Sequence, residues 1–456
     1  MRSKPVKLYG VSGLTIMAML VSLFVEGMVY AQSADALIEK LVEKGILTVK
    51  EANELREEAD KNFTQAYTVK SGLPEWVTAL SFSGDFRGRY EGFYGENSEF
   101  VDRDRFRYRL RFGATAVLRD HFEVGLRLTS GEETEDFGGD PISGNTSFSN
   151  NGSKKFIFLD LVYARWSVLN TPQWSAAMTF GKMENVFGGP STMVFDRDYT
   201  PEGLAAQVVY TFSEHHKLSA SAAGYVLDEL SASSHDPYLL GTQLRWAGNW
   251  SETISTTLGL AVFSIGNADQ LSNVSVPNGS RGNTRDEDGA PVAEFNPVYL
   301  DAGVTYTLER FPFYRGAFPV SVSADYLNNP AVSKGNEGYS VGVSFGRASK
   351  KGTWELAYRW LELQPDAWFE ELPESDFGAY YQAQQANAGF GTSSNPLGRG
   401  YGPGTNVRGH WFRLAYAPFD SLTLGATGFL TELIDENPPG SASGMTRIQI
   451  DAVWKF

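Results

Sequence analysis

The chain has 456 residues, a formal net charge of −15, no cysteine and five histidines. The absence of cysteine excludes a disulfide scaffold, thiol catalysis and a cysteine-ligated metal site. The acidic balance argues against nucleic acid as a partner, because binding to phosphates relies on an excess of lysine and arginine.

Residues 1–31 have the pattern of a secretory signal peptide. A basic region is formed by Arg2, Lys4 and Lys7. An apolar run follows from Val11 to Val25, and Ala31 supplies the small residue that cleavage requires. The alternative is an uncleaved anchor, but the run is shorter than the roughly 20 residues with which a helix crosses a bilayer. We expect an exported mature chain that begins at Gln32.

Residues 32–70 follow a helical pattern. Apolar residues recur at helical spacing from Leu37 to Val42, and Thr48 with Glu51 forms a capping box that opens a second helix. Isolated helices below about 12–15 residues are marginal in water, so these two need a surface to pack on. We expect a helical periplasmic segment that packs on itself, on a neighbouring subunit or on the mouth of the following domain.

A linker over residues 71–79 leads into residues 80–456, where hydrophobicity alternates with the period of β-strands. Every second residue is apolar from Phe106 to Phe112, and the final segment from Thr446 to Phe456 shows the same alternation before ending on an aromatic residue. We count about sixteen such strands, to within about two, because some segments do not show which face is apolar.

Short and long connections alternate between these strands. The short ones include residues 119–121, 170–173, 213–216 and 418–420, and the long ones include 131–154, 183–202, 266–296 and 364–409. Outer-membrane barrels place short turns at one end and long loops at the other, and closure removes the exposed edges of a large sheet. The sequence therefore predicts an all-β fold: a transmembrane antiparallel β-barrel of about 16 strands, preceded by the short helical segment.

Several segments together resemble the bacterial putative porin family of general-diffusion type. They are the helical prefix LIEKLVEKGILTVKEANELREE, the strand DRDRFRYRLRFG, the run GKMENVF with the later DRDYTPEGLAAQ, and the aromatic C-terminus. The resemblance spans essentially the whole mature chain. It implies an outer-membrane homotrimer with a water-filled channel, and a barrel assembly machinery that recognises the last strand, which ends at Phe456.

The resemblance also implies a role for the third long connection, Met183–Glu202. In many sixteen-stranded porins this loop folds into the lumen and narrows it. The candidate constriction residues are Glu184, Asp196, Asp198 and Glu202. The alternative is a loop that folds outward, since the turn at Gly188-Gly189-Pro190 reverses the chain without fixing its direction.

Arginines recur on one face of the first two strands. The candidate pore-lining residues are Arg87, Arg89, Arg105, Arg107, Arg109, Arg111, Arg127 and Arg359. A guanidinium on the lipid face costs about 2–4 kcal/mol near the midplane, so we expect these side chains to face the lumen. There they either set up a field against the loop acids or neutralise lumen acids such as Asp85, Glu91 and Glu123.

The five histidines offer no converging catalytic set, so we expect neither an enzyme nor a cofactor, and we assign no metal site. We predict an outer-membrane porin for passive diffusion of small hydrophilic solutes, with outer-membrane lipid as its surroundings. One alternative is an outer-membrane anchor or adhesin that binds partners through loop Gln364–Gly409. The other is a channel selective for anions such as phosphate, or for sugars.

Overall fold

The computed structural model describes residues 74, 76–134, 138–272, 276–277, 279–382, 400–436 and 438–456. The predicted signal peptide (1–31), the predicted helical segment (32–70) and most of the predicted linker lie outside the described residues. All described residues belong to the second of two units into which the chain divides, Lys70–Phe456. Among them, no helix has the length and apolar character needed to cross a membrane.

Sixteen long antiparallel strands in the described part of the chain form one closed sheet. They are β1 (Val77–Gly95), β2 (Arg103–Leu118), β3 (Phe122–Gly131), β4 (Phe156–Asn170), β5 (Trp174–Lys182), β6 (Glu202–Ser213), β7 (His216–Val226), β8 (Tyr238–Asn249), β9 (Ile254–Gly266), β10 (Val298–Leu308), β11 (Phe318–Asn328), β12 (Glu337–Gly346), β13 (Thr353–Leu363), β14 (Val407–Phe419), β15 (Leu422–Leu433) and β16 (Met445–Lys455). Each strand pairs with the next, and β1 pairs with β16 from Asp85–Lys455 to Gly95–Met445. The predicted antiparallel barrel is confirmed.

The first strand begins earlier than the sequence indicates. β1 starts at Val77, inside the segment 71–79 that we assigned to the linker. Ala79 lies opposite Val117 and Val77 opposite Leu118, so the ladder with β2 continues almost to the start of the described residues. Sequence alternation misses this part, because the residues there do not separate cleanly into an apolar and a polar face.

Turns and loops alternate around the barrel. The turns at one end are residues 119–121, 171–173, 214–215, 250–253, 309–317, 347–352 and 420–421. The loops at the other end, L1 to L8 in chain order, are residues 96–102, 132–155, 183–201, 227–237, 267–297, 329–336, 364–406 and 434–444. The long connections foreseen from the sequence thus all lie at the same end, which we call the loop end.

Short elements occur within these connections. The 3-10 helices are Arg119–His121, Asn150–Gly152 and Ala268–Gln270. Glu133–Thr134 pairs with Gly138–Gly139 in L2, Thr146–Ser147 adds to β2, and Gly378–Tyr381 pairs with Gly400–Pro403 in L7. These ladders pair short backbone segments within the described parts of L2 and L7.

The outer face of the barrel is apolar. Phe106 is 56% exposed, Leu240 52% and Leu414 57%, and each lies on the face opposite the lumen. Aromatic pairs mark both ends of this apolar band, with Trp174–Tyr210 at the turn end and Tyr339–Trp360 at the loop end. An apolar band between two aromatic girdles is the outer surface that a transmembrane barrel presents to lipid.

The substitution Gly84→Ala is expected to weaken the seam between β1 and β16. A Cβ at Gly84 would lie 2.4 Å from the Arg111 backbone oxygen and 2.6 Å from the Phe456 ring. Overpacking of this kind costs about 1–3 kcal/mol, so the variant should lose the gel mobility of the folded barrel at a lower temperature than the parent.

The matched control is Gly88→Ala, on the same strand and the same outer face. A Cβ at Gly88 meets nothing within 4 Å. Equal unfolding temperatures for the two variants would show that the contact between Gly84 and Phe456 does not stabilise the seam.

Candidate functional site

Charged residues occupy the inner face where β1 and β2 pair. Arg87 lies opposite Arg109, Arg89 opposite Arg107, and Asp85 opposite Arg111. Their neighbours along the strands, including Phe86 and Leu110, are exposed on the outer face. Strand alternation therefore turns every guanidinium of this group into the lumen.

Glu91 is the buried counter-charge of these arginines. Its side chain is fully buried and bonds to Arg105 Nε at 2.5 Å, to Arg447 Nε at 3.1 Å and to Gln449 Nε2 at 3.0 Å. Arg107 and Arg89 lie 3.7 and 3.9 Å from the same carboxylate. One carboxylate thus joins β1, β2 and β16 at the seam of the barrel.

Asp376 of L7 completes this cluster. Arg447 Nη2 donates to Asp376 Oδ1 at 2.6 Å, and Arg89 Nη1 donates to Asp376 Oδ2 at 3.1 Å. Arg89 also donates to both oxygens of Asp451, at 2.7 and 2.9 Å. Although burial opposes ionisation, Arg447 and Arg89 hold the pKa of Asp376 well below its usual range. L7 therefore reaches into the lumen, and its Asp376 is ionised there.

Loop L3 crosses the lumen. Arg109 Nη1 donates to Asp198 at 2.7 and 2.8 Å. On other parts of the wall, Gly188 N donates to Gln243 Oε1 at 3.0 Å, and Arg359 Nη2 donates to the Pro190 oxygen at 2.9 Å. These contacts place L3 between β2, β8 and β13, inside the barrel rather than over its surface.

L3 is held in the lumen by L7 as well as by the wall. Trp368 Nε1 donates to the Val194 oxygen at 2.7 Å, and Asp196 N donates to the Leu372 oxygen at 2.6 Å. Ser375 N donates to Asp196 Oδ2 at 2.7 Å. L3 and L7 thus form one hydrogen-bonded layer, so a constriction at this level belongs to both loops.

L7 is in turn fixed by L5. Arg285 donates to Glu370 from Nε at 2.9 Å and from Nη2 at 2.5 Å, and both side chains are almost fully buried. Trp368 and Phe369 pack with Phe295 of L5 and Phe187 of L3 in an apolar core. The barrel-wall residues that belong to this core lie near the loop end. L3, L5 and L7 therefore pack together inside that end of the barrel.

Two carboxyls of the layer between L3 and L7 have no arginine partner among the described residues. Burial, together with the charges of Glu374 and Asp198, raises the pKa of Asp196 well above its usual range. Burial and the charge of Asp376 likewise raise the pKa of Glu374. Asp198 differs, because Arg109 and other arginines lower its pKa in spite of burial. The layer therefore combines ionised and readily protonated acids.

A cavity of about 610 Å³ lies against this layer. Its arginines are Arg87, Arg89, Arg109, Arg111, Arg197, Arg359 and Arg413, and its carboxylates are Asp196, Asp198, Glu355, Glu374, Asp376 and Asp451. Two smaller cavities of about 180 and 230 Å³ adjoin it, the first across Asp196 and Arg197 and the second across Asp198. The lumen is thus divided by L3.

The predicted pore-lining residues fall into two groups. Arg87, Arg89, Arg109, Arg111 and Arg359 line the large cavity. The other three, Arg105, Arg107 and Arg127, contact acids away from its lining: Glu91, Glu132, and Asp160 with Glu184. Most of the predicted arginines are therefore in ion pairs, rather than facing distant acids across open water.

The predicted constriction residues also separate. Asp196 and Asp198 line the large cavity, and Glu184 lines the cavity of about 180 Å³. Glu202 instead begins β6, where it is exposed and lies 3.4 Å from Lys182. Of the counter-charges considered, Asp85 and Glu91 pair with arginines, whereas Glu123 accepts a hydrogen bond from Tyr163 at 2.8 Å.

Sequence reasoning missed several members of the site. The predicted site residues did not include Arg197, Arg447 or Asp376. L5 and L7 were not expected inside the lumen. Arg447 was visible as a polar residue on the inner face of the last strand, but the positions of loop residues depend on tertiary contacts. Among the described residues, no group of three or more histidines or acids is arranged to hold a metal ion.

Comparison with known proteins gives a family match but no curated relative. Solved structures that match the chain include Pseudomonas putida OprB at high pH, with 12% identity, a TM-score of 0.49, and coverage of 83% of this chain and 94% of that chain. Salmonella typhi OmpF in complex with daunomycin has 10% identity, a TM-score of 0.45, and coverage of 83% and 98%. The outer membrane channel DcaP of Acinetobacter baumannii has 14% identity, a TM-score of 0.41, and coverage of 83% and 97%. No curated protein matches the chain.

The family match is independent of these structures. Residues 95–296, from the end of β1 to the end of L5, match the model of the family described as "Putative porin". This segment contains the strand and the L3 motif on which the resemblance in the sequence depends. The match confirms that resemblance over residues 95–296.

Proposed function

We propose that this chain forms an outer-membrane channel through which small hydrophilic solutes diffuse passively. The observation that carries the proposal is a charged cavity of about 610 Å³ inside a closed barrel whose outer face is apolar. At about 30 Å³ per molecule, the cavity has room for about 20 waters. The family match over residues 95–296 supports the same function.

The charges of the cavity favour polar solutes. Guanidinium and carboxylate groups orient the water between them, and an apolar solute that displaces this water cannot replace its hydrogen bonds. A hydrophilic solute of similar size can. The channel therefore selects by polarity and size, and it needs no chemical step and no cofactor.

The proposed location is the bacterial outer membrane. Export through the signal peptide of residues 1–31 and insertion by the barrel assembly machinery through the strand ending at Phe456 are parts of the same proposal. So is a homotrimer, which follows from the resemblance to porins. The apolar outer face, where Phe106 is 56% exposed, supports lipid as the surroundings of the barrel.

The anchor or adhesin alternative has less support. In this alternative, loop Gln364–Gly409 binds the partner. In the described part of that loop, however, Trp368 and Glu370 are completely buried. These residues contact L3 and L5 rather than offering a surface. These two residues of the described part of the loop are therefore not available to a partner.

The direct test is conductance of the purified, folded protein in a planar bilayer. We expect stepwise ohmic currents in potassium chloride, because the cavity holds water and the barrel spans the bilayer. A protein that shows heat-dependent gel mobility, and so is folded, but carries no current would contradict the proposed function.

Arg285→Ala is expected to loosen the layer of L3, L5 and L7. The substitution leaves Glu370 buried without its cation, and breaking a buried ion pair costs about 3–5 kcal/mol. We expect larger and noisier single-channel currents, together with faster proteolysis within L7 of the folded protein.

Arg408→Ala is the matched control for Arg285→Ala, because it also removes one arginine from an ion pair. Arg408 and Glu432 are 2.7 Å apart but largely exposed, so their pair contributes about 0–1 kcal/mol. Currents and proteolysis that are the same in both variants would rule out a role of the buried pair in holding the loops.

The ion preference is expected to depend on pH through Asp196 and Glu374. Both have raised pKa values, so they lose their negative charge as the pH falls, before ordinary carboxyls do. Asp198 and Asp376 have lowered pKa values and stay ionised in this range. The cavity thus becomes more positive at lower pH. The reversal potential in a salt gradient should therefore shift in the direction that indicates a higher ratio of anion to cation permeability.

The double variant Asp196→Asn/Glu374→Gln removes both readily protonated groups. Its preference for anions over cations should be independent of pH and close to that of the parent at low pH. A pH shift of undiminished size in the double variant would exclude these two residues as its source.

A further inference from the structure

The large cavity is lined by more arginines than carboxylates, although the chain as a whole has a net charge of −15. Asp85 and Asp325, outside the lining, pair with three of these arginines. Among the described residues, its lining includes seven arginines and six carboxylates. Four of the carboxylates, namely Asp198, Glu355, Asp376 and Asp451, lie within 4.0 Å of arginines. The other two are Asp196 and Glu374, which accept backbone or hydroxyl hydrogen bonds instead.

Arg87 is a cavity arginine that is held by a neutral partner rather than by a carboxylate. Its Nη2 donates to Asn145 Oδ1 at 2.6 Å, its Nε is buried without a partner, and among the described residues no carboxylate lies within 4.0 Å of it. Asn145 is itself buried and donates to Ser143 Oγ at 3.1 Å, so L2 fixes the guanidinium through a neutral group. Arg87 lies next to Arg109 on the neighbouring strand, which adds to the local positive charge.

A second guanidinium in the same cavity belongs to Arg197, which interacts electrostatically with Glu374 from beyond 4.0 Å. It is exposed to the lumen and lies between two acids of L3 that are engaged elsewhere. Asp196 accepts from Ser375 N at 2.7 Å, and Asp198 accepts from Arg109 at 2.7 Å. In the described part of the chain no carboxylate lies within 4.0 Å of Arg197, which lines the large cavity and the adjoining one.

We propose that Arg87 and Arg197 form an anion-binding subsite in the lumen, and that the solutes it favours are small oxyanions with a carboxylate or a phosphate group. The proposal deepens the proposed function and rests on it. A guanidinium presents a planar set of N–H donors that matches two oxygens of one oxyanion. A binding anion would pair with two guanidiniums that form no salt bridge among the described residues, whereas a cation would meet two positive charges.

The test uses the folded, full-length mature protein in a planar bilayer under a potassium chloride gradient. The variants are Arg87→Gln, Arg197→Gln and both together. The control is Arg408→Gln, which removes the same charge from an exposed position outside the cavity. The reversal potential gives the ratio of anion to cation permeability. Inorganic phosphate or acetate, added on one side, gives the concentration that halves the chloride current.

We expect an anion-selective parent whose chloride current is reduced by added oxyanion. Each single variant should need a roughly tenfold higher oxyanion concentration, the loss that corresponds to one charge-assisted hydrogen bond. Reduction by phosphate alone would assign the subsite to phosphate-type solutes, and reduction by acetate alone to carboxylates. The Arg408→Gln variant should behave like the parent.

Two results would overturn the subsite while leaving the channel intact. One is a conducting parent that prefers cations or is insensitive to both oxyanions. The other is a pair of folded variants with the selectivity and oxyanion sensitivity of the parent. Absence of current in the folded parent would instead contradict the channel itself. Arg197 lies in a loop and is exposed, so Arg197→Gln keeps the test valid should Arg87→Gln fail to fold.

Discussion

The position of one buried carboxylate, Glu91, organises the interior of this barrel. Burying an ion without a partner is costly, and Glu91 is fully enclosed by arginines of β1, β2 and β16. These arginines outnumber it, so further negative charge is needed, and Asp376 of L7 supplies part of it. Asp198 of L3 does the same for Arg109, further along β2. The charge balance at the seam thus gives a physical reason for two loops to fold inward.

The inward loops then build a core of their own. Trp368 and Phe369 of L7, Phe187 of L3 and Phe295 of L5 pack together against the wall at the loop end. These apolar residues lie on the inner side of the barrel, so they leave water by packing against one another there. The lumen therefore contains two environments, an apolar core near the loop end and a charged cavity beside it. This arrangement separates the part that holds the loops from the part that holds water.

The barrel could be predicted from the sequence, whereas only part of the site could. Strand alternation is a local property, so the direction of Arg109 follows from its neighbours Tyr108 and Leu110. The position of L7 depends on contacts between distant residues, such as Arg285 with Glu370 and Trp368 with Val194. Its acidic residues have the composition of a solvated loop, and nothing local in the sequence distinguishes a buried Glu370 from an exposed one. Glu202 was misplaced for a similar reason, since proximity in sequence to Asp198 does not imply a shared cavity.

The pairing of β1 with β16 has a consequence for biogenesis. Gly84 exchanges backbone hydrogen bonds with Phe456, so the first strand finds its second neighbour only in the last residues of the chain. Until β16 is available, every partly folded sheet has two open edges with unpaired N–H and C=O groups, and such edges template aggregation. Folding during translation would therefore be hazardous for this protein. A chain kept unfolded until β16 is available avoids that hazard.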